Sequence, residues 1–154
     1  QVADGRELWP EFKGRDGCRT PMVWEPSNST GGFSTGKPWL PVSPEHLHRS
    51  VADQEMDSDA MLHFYRAALA FRRASQTLCK GEQGAVAASG DVVHFERQHH
   101  GEVLQCLVNL SSDVQTLPQS GAFEDASGPL KGGALSNGAV TLKPWGCAVL
   151  RRTA

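Results

Sequence analysis

The sequence predicts an α+β chain in which a long loop, one amphipathic helix and an antiparallel β-sandwich follow one another. Three observations predict it. Residues 1–52 carry no sustained hydrophobic period, residues 57–73 carry a helical period, and the remainder alternates in short runs between turn residues. We therefore expect an irregular part before a single long helix and a β-rich part after it.

The first part, residues 1–52, is predicted to be a loop because prolines and glycines recur throughout it. Connections between elements usually have about 4 to 6 residues, so a loop of this length is either disordered or functional. Large aromatic side chains argue against disorder; they are Trp9, Phe12, Trp24, Phe33 and Trp39. We predict a functional loop that lies on a larger body, most of which is outside these residues.

The helix is predicted over residues 57–73, with Asp57 or Ser58 as its cap and two arginines, Arg72 and Arg73, in its last turn. Its apolar residues recur at spacings of three and four and cover a wide face. We therefore expect the helix to be covered on both sides.

The β-rich part is predicted to form an antiparallel sandwich of about five to seven strands, because apolar and polar residues alternate along short runs. Two-residue breaks at Ser89-Gly90 and His100-Gly101 predict hairpins. The predicted strands are residues 84–88, 91–98, 102–110, 114–117, 139–142 and 146–151.

Charge and hydropathy exclude several classes of partner. The chain has 15 basic and 17 acidic side chains with no block of like charge, which argues against nucleic acid. No apolar run reaches the roughly 18 residues of a membrane span, and the first residues lack the layout of a signal peptide. The four cysteines are widely spaced, so we expect free thiols in a reducing cytoplasm.

We predict no metal and no cofactor. The histidines considered as ligands have no set of carboxylates at ligand spacing beside them; they are His46, His48, His94, His99 and His100. Gly31 to Lys37 matches G-x-x-x-x-G-K, but a phosphate-binding loop needs Ser or Thr next, and Pro38 stands there.

The stretch G-R-D-G-C-R-T-P-M-V-W, which begins at Gly14, places Arg15 and Arg19 on either side of Asp16 among aromatic residues. Such a cluster of charge needs partners, so we expect a partly buried polar site. The order of its residues resembles the segment after the eighth barrel strand in α-glucosidases of glycoside hydrolase family 13, the α-amylase family. The resemblance extends through G-F-S and P-W-L-P-V to the closing L-K-P-W-G.

This resemblance implies the organisation of the chain. Residues 1–80 would be the C-terminal end of a (β/α)8 catalytic barrel, contributing the active-site loop and the last helix. Residues 81–154 would be the C-terminal β-sandwich domain. The missing N-terminal part of the barrel would then be the main partner.

The resemblance also implies the roles of individual residues. Arg15 matches the arginine that holds the non-reducing glucose, and Arg19 matches a second arginine with a substrate-binding or structural role. Asp16 would brace the loop. The family's catalytic carboxylates come from the fourth, fifth and seventh barrel strands, so we predict no catalytic residue in this chain and no activity of the chain alone.

The function implied is that of a retaining exo-α-glucosidase that hydrolyses terminal α-linked glucose from maltose or short malto- or isomalto-oligosaccharides. Two alternatives stay open: a sucrose isomerase or transglycosylase of the same family, and a stand-alone non-catalytic β-sandwich that binds carbohydrate. Val23 stands where many members carry Gln, which leaves the subgroup open.

Overall fold

The computed structural model of the chain describes residues 16–153. These residues divide into two compact units on either side of a boundary between His63 and Phe64, in the first turn of the helix Met61–Ala74. Among the described residues, no helix has both the length and the apolar character needed to cross a membrane.

The first unit is an irregular chain punctuated by short helices. Its described residues contain a 3-10 helix at Asp16–Cys18, followed by α1 (Pro44–Leu47) and α2 (Val51–Met56). The prediction of a loop over residues 1–52 is therefore wrong at α1 and at the start of α2. Proline breaks the interior of a helix but suits its first turn, and Pro44 stands at the start of α1.

The long helix, α3 (Met61–Ala74), begins later than predicted. Asp57 does not cap it. The Asp57 carboxylate instead accepts a hydrogen bond from the backbone N–H of Asp59, and the Asp57 carbonyl accepts one from Ala60 in the turn before the helix. No residue of α3 is buried, so the prediction that it is covered on both sides is not met within the described residues.

The second unit continues from α3 into α4 (Gln76–Lys80) and nine strands. Ser75 separates the two helices and caps α4 by accepting from the N–H of Leu78. The strands are β1 (Glu82–Gln83), β2 (Ala87–Ser89), β3 (Val92–His99), β4 (Glu102–Asn109), β5 (Gln115–Pro118), β6 (Phe123–Asp125), β7 (Gly133–Ser136), β8 (Ala139–Leu142) and β9 (Cys147–Arg152).

These strands form two antiparallel sheets, as the sequence predicted. The larger sheet has the order β1-β3-β4-β9-β6, with β2 also paired to β3, and the smaller has the order β5-β8-β7. The predicted count of five to seven strands is too low, because β1, β6 and β7 have only two to four residues each and carry no readable alternation.

Both predicted hairpins are present. His99 pairs with Glu102, so His100 and Gly101 form a two-residue turn, and both have the positive φ values, 47° and 86°, that a tight hairpin of this type requires. Ser89 is itself in a strand and pairs with Val92, so the other turn consists of Gly90 and Asp91, one residue later than the predicted break at Ser89-Gly90.

Two hydrophobic clusters lie on opposite faces of the larger sheet. The first fills the space between the two sheets and contains Val92, Leu107, Val140, Leu142, Ala148 and Leu150. The second contains Leu104, Cys106 and Val149, and Phe71 of α3 and Leu78 of α4 pack against it. The helices thus cover one face of the sheet and the smaller sheet covers the other.

A polar network ties α4 to three strands of the larger sheet. The Thr77 hydroxyl, which is buried, donates to the Glu102 carboxylate. Arg151 donates to Glu102 from Nε at 2.9 Å and to Glu124 from Nη1 at 2.8 Å. The bond from Thr77, followed by the hydrogen bond and charge of Arg151, lowers the pKa of Glu102.

This network predicts a specific dependence of stability on pH. A carboxyl whose pKa is lowered by folding stabilises the native state above its unfolded pKa of about 4.3. That stability is lost as the pH falls through the lower folded value. We expect Glu102→Gln to be less stable than the wild type at pH 7, and the difference to shrink as the pH falls below about 4.

Urea unfolding of both proteins between pH 3 and pH 7 measures this. Thr77→Val removes the donor with little change of volume. Its stability should also approach that of the wild type as the pH falls, from a smaller difference at pH 7. A constant difference in the free energy of unfolding across the pH range would contradict the assignment.

Candidate functional site

The candidate site is built on residues 20–24, T-P-M-V-W, which we call the TPMVW segment. It follows Arg19, whose backbone N–H closes the 3-10 helix by donating to the Asp16 carbonyl at 3.0 Å. Side chains alternate along the segment: Pro21 and Val23 are buried, whereas Met22 and Trp24 are about half exposed, at 53% and 48%. The segment therefore has one face toward its unit and one face toward solvent.

A tight loop returns directly onto the segment. Trp24 and Glu25 donate their backbone N–H groups to the Gly31 carbonyl, at 2.7 and 3.1 Å. The Asn28 side-chain oxygen closes the loop by accepting from the N–H groups of Thr30 and Gly32, at 3.0 and 3.1 Å. The loop is thus braced internally and fixed to the end of the segment.

Gly31 is required at this position for two reasons. Its φ is +61°, a conformation that side chains other than glycine rarely adopt. A Cβ added there would also meet the Val23 side chain at 3.1 Å. The loop and the segment therefore lie so close that a side chain at position 31 would press against Val23.

On its other edge the segment is held by α2. Val51 and Ala52 donate their N–H groups to the carbonyls of Val23 and Trp24, at 3.1 and 3.0 Å. The first N–H groups of a helix have no acceptor within the helix, so these bonds satisfy the segment and the helix together.

A groove lies beside the segment, with a volume of about 270 Å³. This is slightly below the range of typical small-molecule sites, about 300–1,000 Å³. Its lining combines apolar and polar groups: Thr20, Pro21, Met22, Val23, His46, Arg49, Val51 and Gln54. The Gln54 amide is engaged in structure, since it donates to the Arg49 carbonyl and accepts from the Leu62 N–H.

Of the predicted substrate-binding residues, Arg15 lies outside the described residues. Arg19 is exposed and immediately precedes the TPMVW segment, but it does not line the groove. The structure therefore places Arg19 at the start of the anchored segment and leaves the role of both arginines as a prediction.

The histidines and cysteines form neither a metal site nor a disulfide in the described residues. Within residues 16–153, no group of three or more His, Cys, Asp or Glu side chains is arranged to hold a metal ion. The rings of His99 and His100 make an edge contact at the hairpin turn, with centroids 4.1 Å apart and planes inclined at 60°. Cys18, Cys79, Cys106 and Cys147, which all lie in the described part of the chain, form no disulfide bond.

Aromatic residues of the sandwich bear on the alternative of a carbohydrate-binding module. Such a module would expose a row of aromatic rings on one strand face. Phe95 and Phe123 instead pack against the two hydrophobic clusters, and the exposed Trp145 lies between strands. The described strands therefore present no such row.

Sequence reasoning missed the groups that anchor the segment: Ser50, Asn28, Gly31 and the first turn of α2. A signal was present at Ser50, because Asp53 follows it at the spacing of a capping box. Nothing in the sequence indicated that the N–H groups of this helix bind the TPMVW segment.

Comparison with known proteins gives the family. The catalytic-domain model of α-amylase matches residues 3–81. The chain therefore belongs to the α-amylase family, glycoside hydrolase family 13, as the R-D-x-x-R-T-P-M pattern predicted. Helices followed by antiparallel sheets match part of the family's enzymes, which confirms the predicted fold class.

Among curated relatives, the chain is 52% identical over 112 residues to a probable α-glucosidase of Rhizobium meliloti, covering 73% of the chain and 20% of the relative. It is 24% identical over 146 residues to an oligo-1,6-glucosidase of Bacillus cereus, covering 91% and 26%. The chain thus spans about a fifth to a quarter of the length of these relatives.

Solved structures are also similar. The α-glucosyl transfer enzyme XgtA matches with a TM-score of 0.87 and 34% identity, over 99% of this chain and 29% of that one. The trehalulose synthase MutB of Pseudomonas mesoacidophila matches with a TM-score of 0.80 and 25% identity, over 98% and 28%. A mutant of MutB has been solved in complex with its substrate sucrose.

Proposed function

We propose that the chain is the C-terminal part of a retaining exo-α-glucosidase that releases terminal α-linked glucose from maltose or short oligosaccharides. The observation that carries this proposal is the 52% identity to a probable α-glucosidase over 112 residues. The R-D-x-x-R-T-P-M pattern, whose last three residues begin the anchored TPMVW segment, supports it. The cytoplasmic location expected from the sequence, and a domain boundary near residue 80, are parts of the same proposal.

In this proposal the chain contributes binding. A guanidinium at Arg15 would grip a carboxylate of an upstream loop with two parallel hydrogen bonds and still reach a sugar hydroxyl. Arg19 would act beside the next sugar. The nucleophile and the acid/base would come from barrel strands outside this chain.

Glucosyl transfer or sucrose isomerisation is a second candidate function, and the similar solved structures favour it. Two of the similar structures are of an α-glucosyl transfer enzyme and a trehalulose synthase. In transfer or isomerisation the glycosyl intermediate reacts with a sugar hydroxyl, whereas in hydrolysis it reacts with water.

Sucrose separates the two functions. For an α-glucosidase we expect the complete protein to release free glucose from both maltose and sucrose, as measured by chromatography of the products. A product disaccharide with the mass of sucrose but a reducing end would establish isomerisation instead.

The isolated chain is expected to hydrolyse no α-glucoside, because without the carboxylate pair nothing forms or breaks the glycosyl intermediate. Incubation with p-nitrophenyl α-glucoside tests this, with the complete protein as the positive control. Turnover that stays with the chain through a second purification would refute the proposal that the catalytic carboxylates lie outside this chain.

Arg15→Lys in the complete protein is expected to lower kcat/KM for maltose about ten- to a hundred-fold, since one charge-assisted hydrogen bond contributes about 1.5 to 3 kcal/mol. Lysine keeps the positive charge but cannot make the two parallel hydrogen bonds of a guanidinium. Arg19→Lys makes the same substitution at the second arginine of the pattern and serves as the comparison.

Melting temperature is measured on the same preparations. A substrate-binding role for Arg15 predicts a nearly unchanged melting temperature. Normal kinetics together with a lowered melting temperature would show that Arg15 only braces the loop.

A further inference from the structure

We infer that Ser50 is a positioning residue for the substrate-binding loop: by capping α2 it fixes the TPMVW segment and, with it, the direction in which Arg19 enters the site. This inference rests on the proposed function above. Ser50 does not line the groove, and its side-chain hydrogen bonds are with Asp53, so we expect it to act through the backbone of α2.

The cap at Ser50 is complete and fully buried. Ser50 is 0% exposed, has the extended backbone of a capping residue, and accepts from the Asp53 N–H at 3.1 Å. Its hydroxyl hydrogen is used as well, because Oγ donates to the Asp53 carboxylate at 2.8 Å. A buried hydroxyl with both roles filled is held in one orientation.

The cap matters to the segment because of what the next two residues do. Val51 and Ala52 donate to the carbonyls of Val23 and Trp24. If the first turn of α2 frays, these donors lose their direction and the two carbonyls are released.

The other hydrogen bonds on the segment cannot replace this anchor. The bonds of Trp24 and Glu25 to the Gly31 carbonyl join the segment to the loop that immediately follows it. They hold the loop and the segment to each other but not to the rest of their unit. Among the backbone hydrogen bonds that the described residues form with one another, those from Val51 and Ala52 tie the segment to a helix.

Loss of this anchor should affect substrate binding more than the chemical step. The proposed catalytic carboxylates lie outside the chain, so a loosened loop lowers the fraction of protein that is ready to bind. We expect Ser50→Ala in the complete protein to raise KM for maltose by up to about fivefold with kcat nearly unchanged. Fivefold corresponds to about 1 kcal/mol, the usual loss on removal of a helix cap.

The matched control is Ser75→Ala. Ser75 caps α4 in the same way, accepting from the Leu78 N–H at 3.1 Å, but it belongs to the second unit and makes no bond to the TPMVW segment. It should lower stability by a similar amount while leaving KM unchanged. Ser50→Thr should keep KM near the wild-type value, because its hydroxyl can both accept from the Asp53 N–H and donate to the Asp53 carboxylate.

A second variant serves if Ser50→Ala does not fold. Asp53→Ala leaves the Ser50 oxygen in place as the cap's acceptor and removes only the carboxylate that orients the hydroxyl. The same change in KM is expected, at about threefold.

Hydrogen exchange of the Val51 and Ala52 amides in the complete protein gives a readout that does not depend on activity. Faster exchange at these amides in Ser50→Ala but not in Ser75→Ala, together with the raised KM, supports the inference. An equal KM in the two alanine variants, or unchanged exchange at Val51 and Ala52, overturns it. If the exchange changes but the complete protein acts on no α-glucoside, the positioning of the segment stands and the proposed function fails.

Discussion

The pairing of β3 with β4 is the constraint on which the sandwich depends. Eight residue pairs, from Val92–Asn109 to His99–Glu102, fix the register around the two-residue turn at His100-Gly101. Because side chains alternate along a strand, this register sends Leu107 to the smaller sheet and Cys106 to the helices. A slip by one residue would exchange the two faces, so both hydrophobic clusters depend on the same turn.

The elements that could be predicted from the sequence are those whose stability is local. The alternation along β3 and β4 and the glycine in each hairpin turn are visible in the residues themselves. β6 and β7 were missed because they are short and exist through pairing: β6 pairs with Arg152, Arg151 and Leu150 of β9, and β7 pairs with β8. Tertiary contacts, and not propensity, make such segments into strands.

The candidate site divides in the same way. The pattern R-D-x-x-R-T-P-M predicted the family because it is specific, and the matched family model agrees. The anchoring of the TPMVW segment could not be predicted, since it consists of backbone hydrogen bonds between Val23 or Trp24 and a helix that follows much later in the chain. Backbone groups are the same in every residue, so the sequence carries no direct record of which donor meets which acceptor.

The position of Cys106 in the second hydrophobic cluster has a chemical consequence. Burial raises the pKa of its thiol to about 11, and burial also raises the pKa of Cys147 on the neighbouring strand. Disulfide exchange and alkylation proceed through the thiolate, which at neutral pH is then about one Cys106 in ten thousand. The fold therefore lowers the reactivity of both thiols toward oxidants and electrophiles, most strongly at the buried Cys106, and unfolding would restore it.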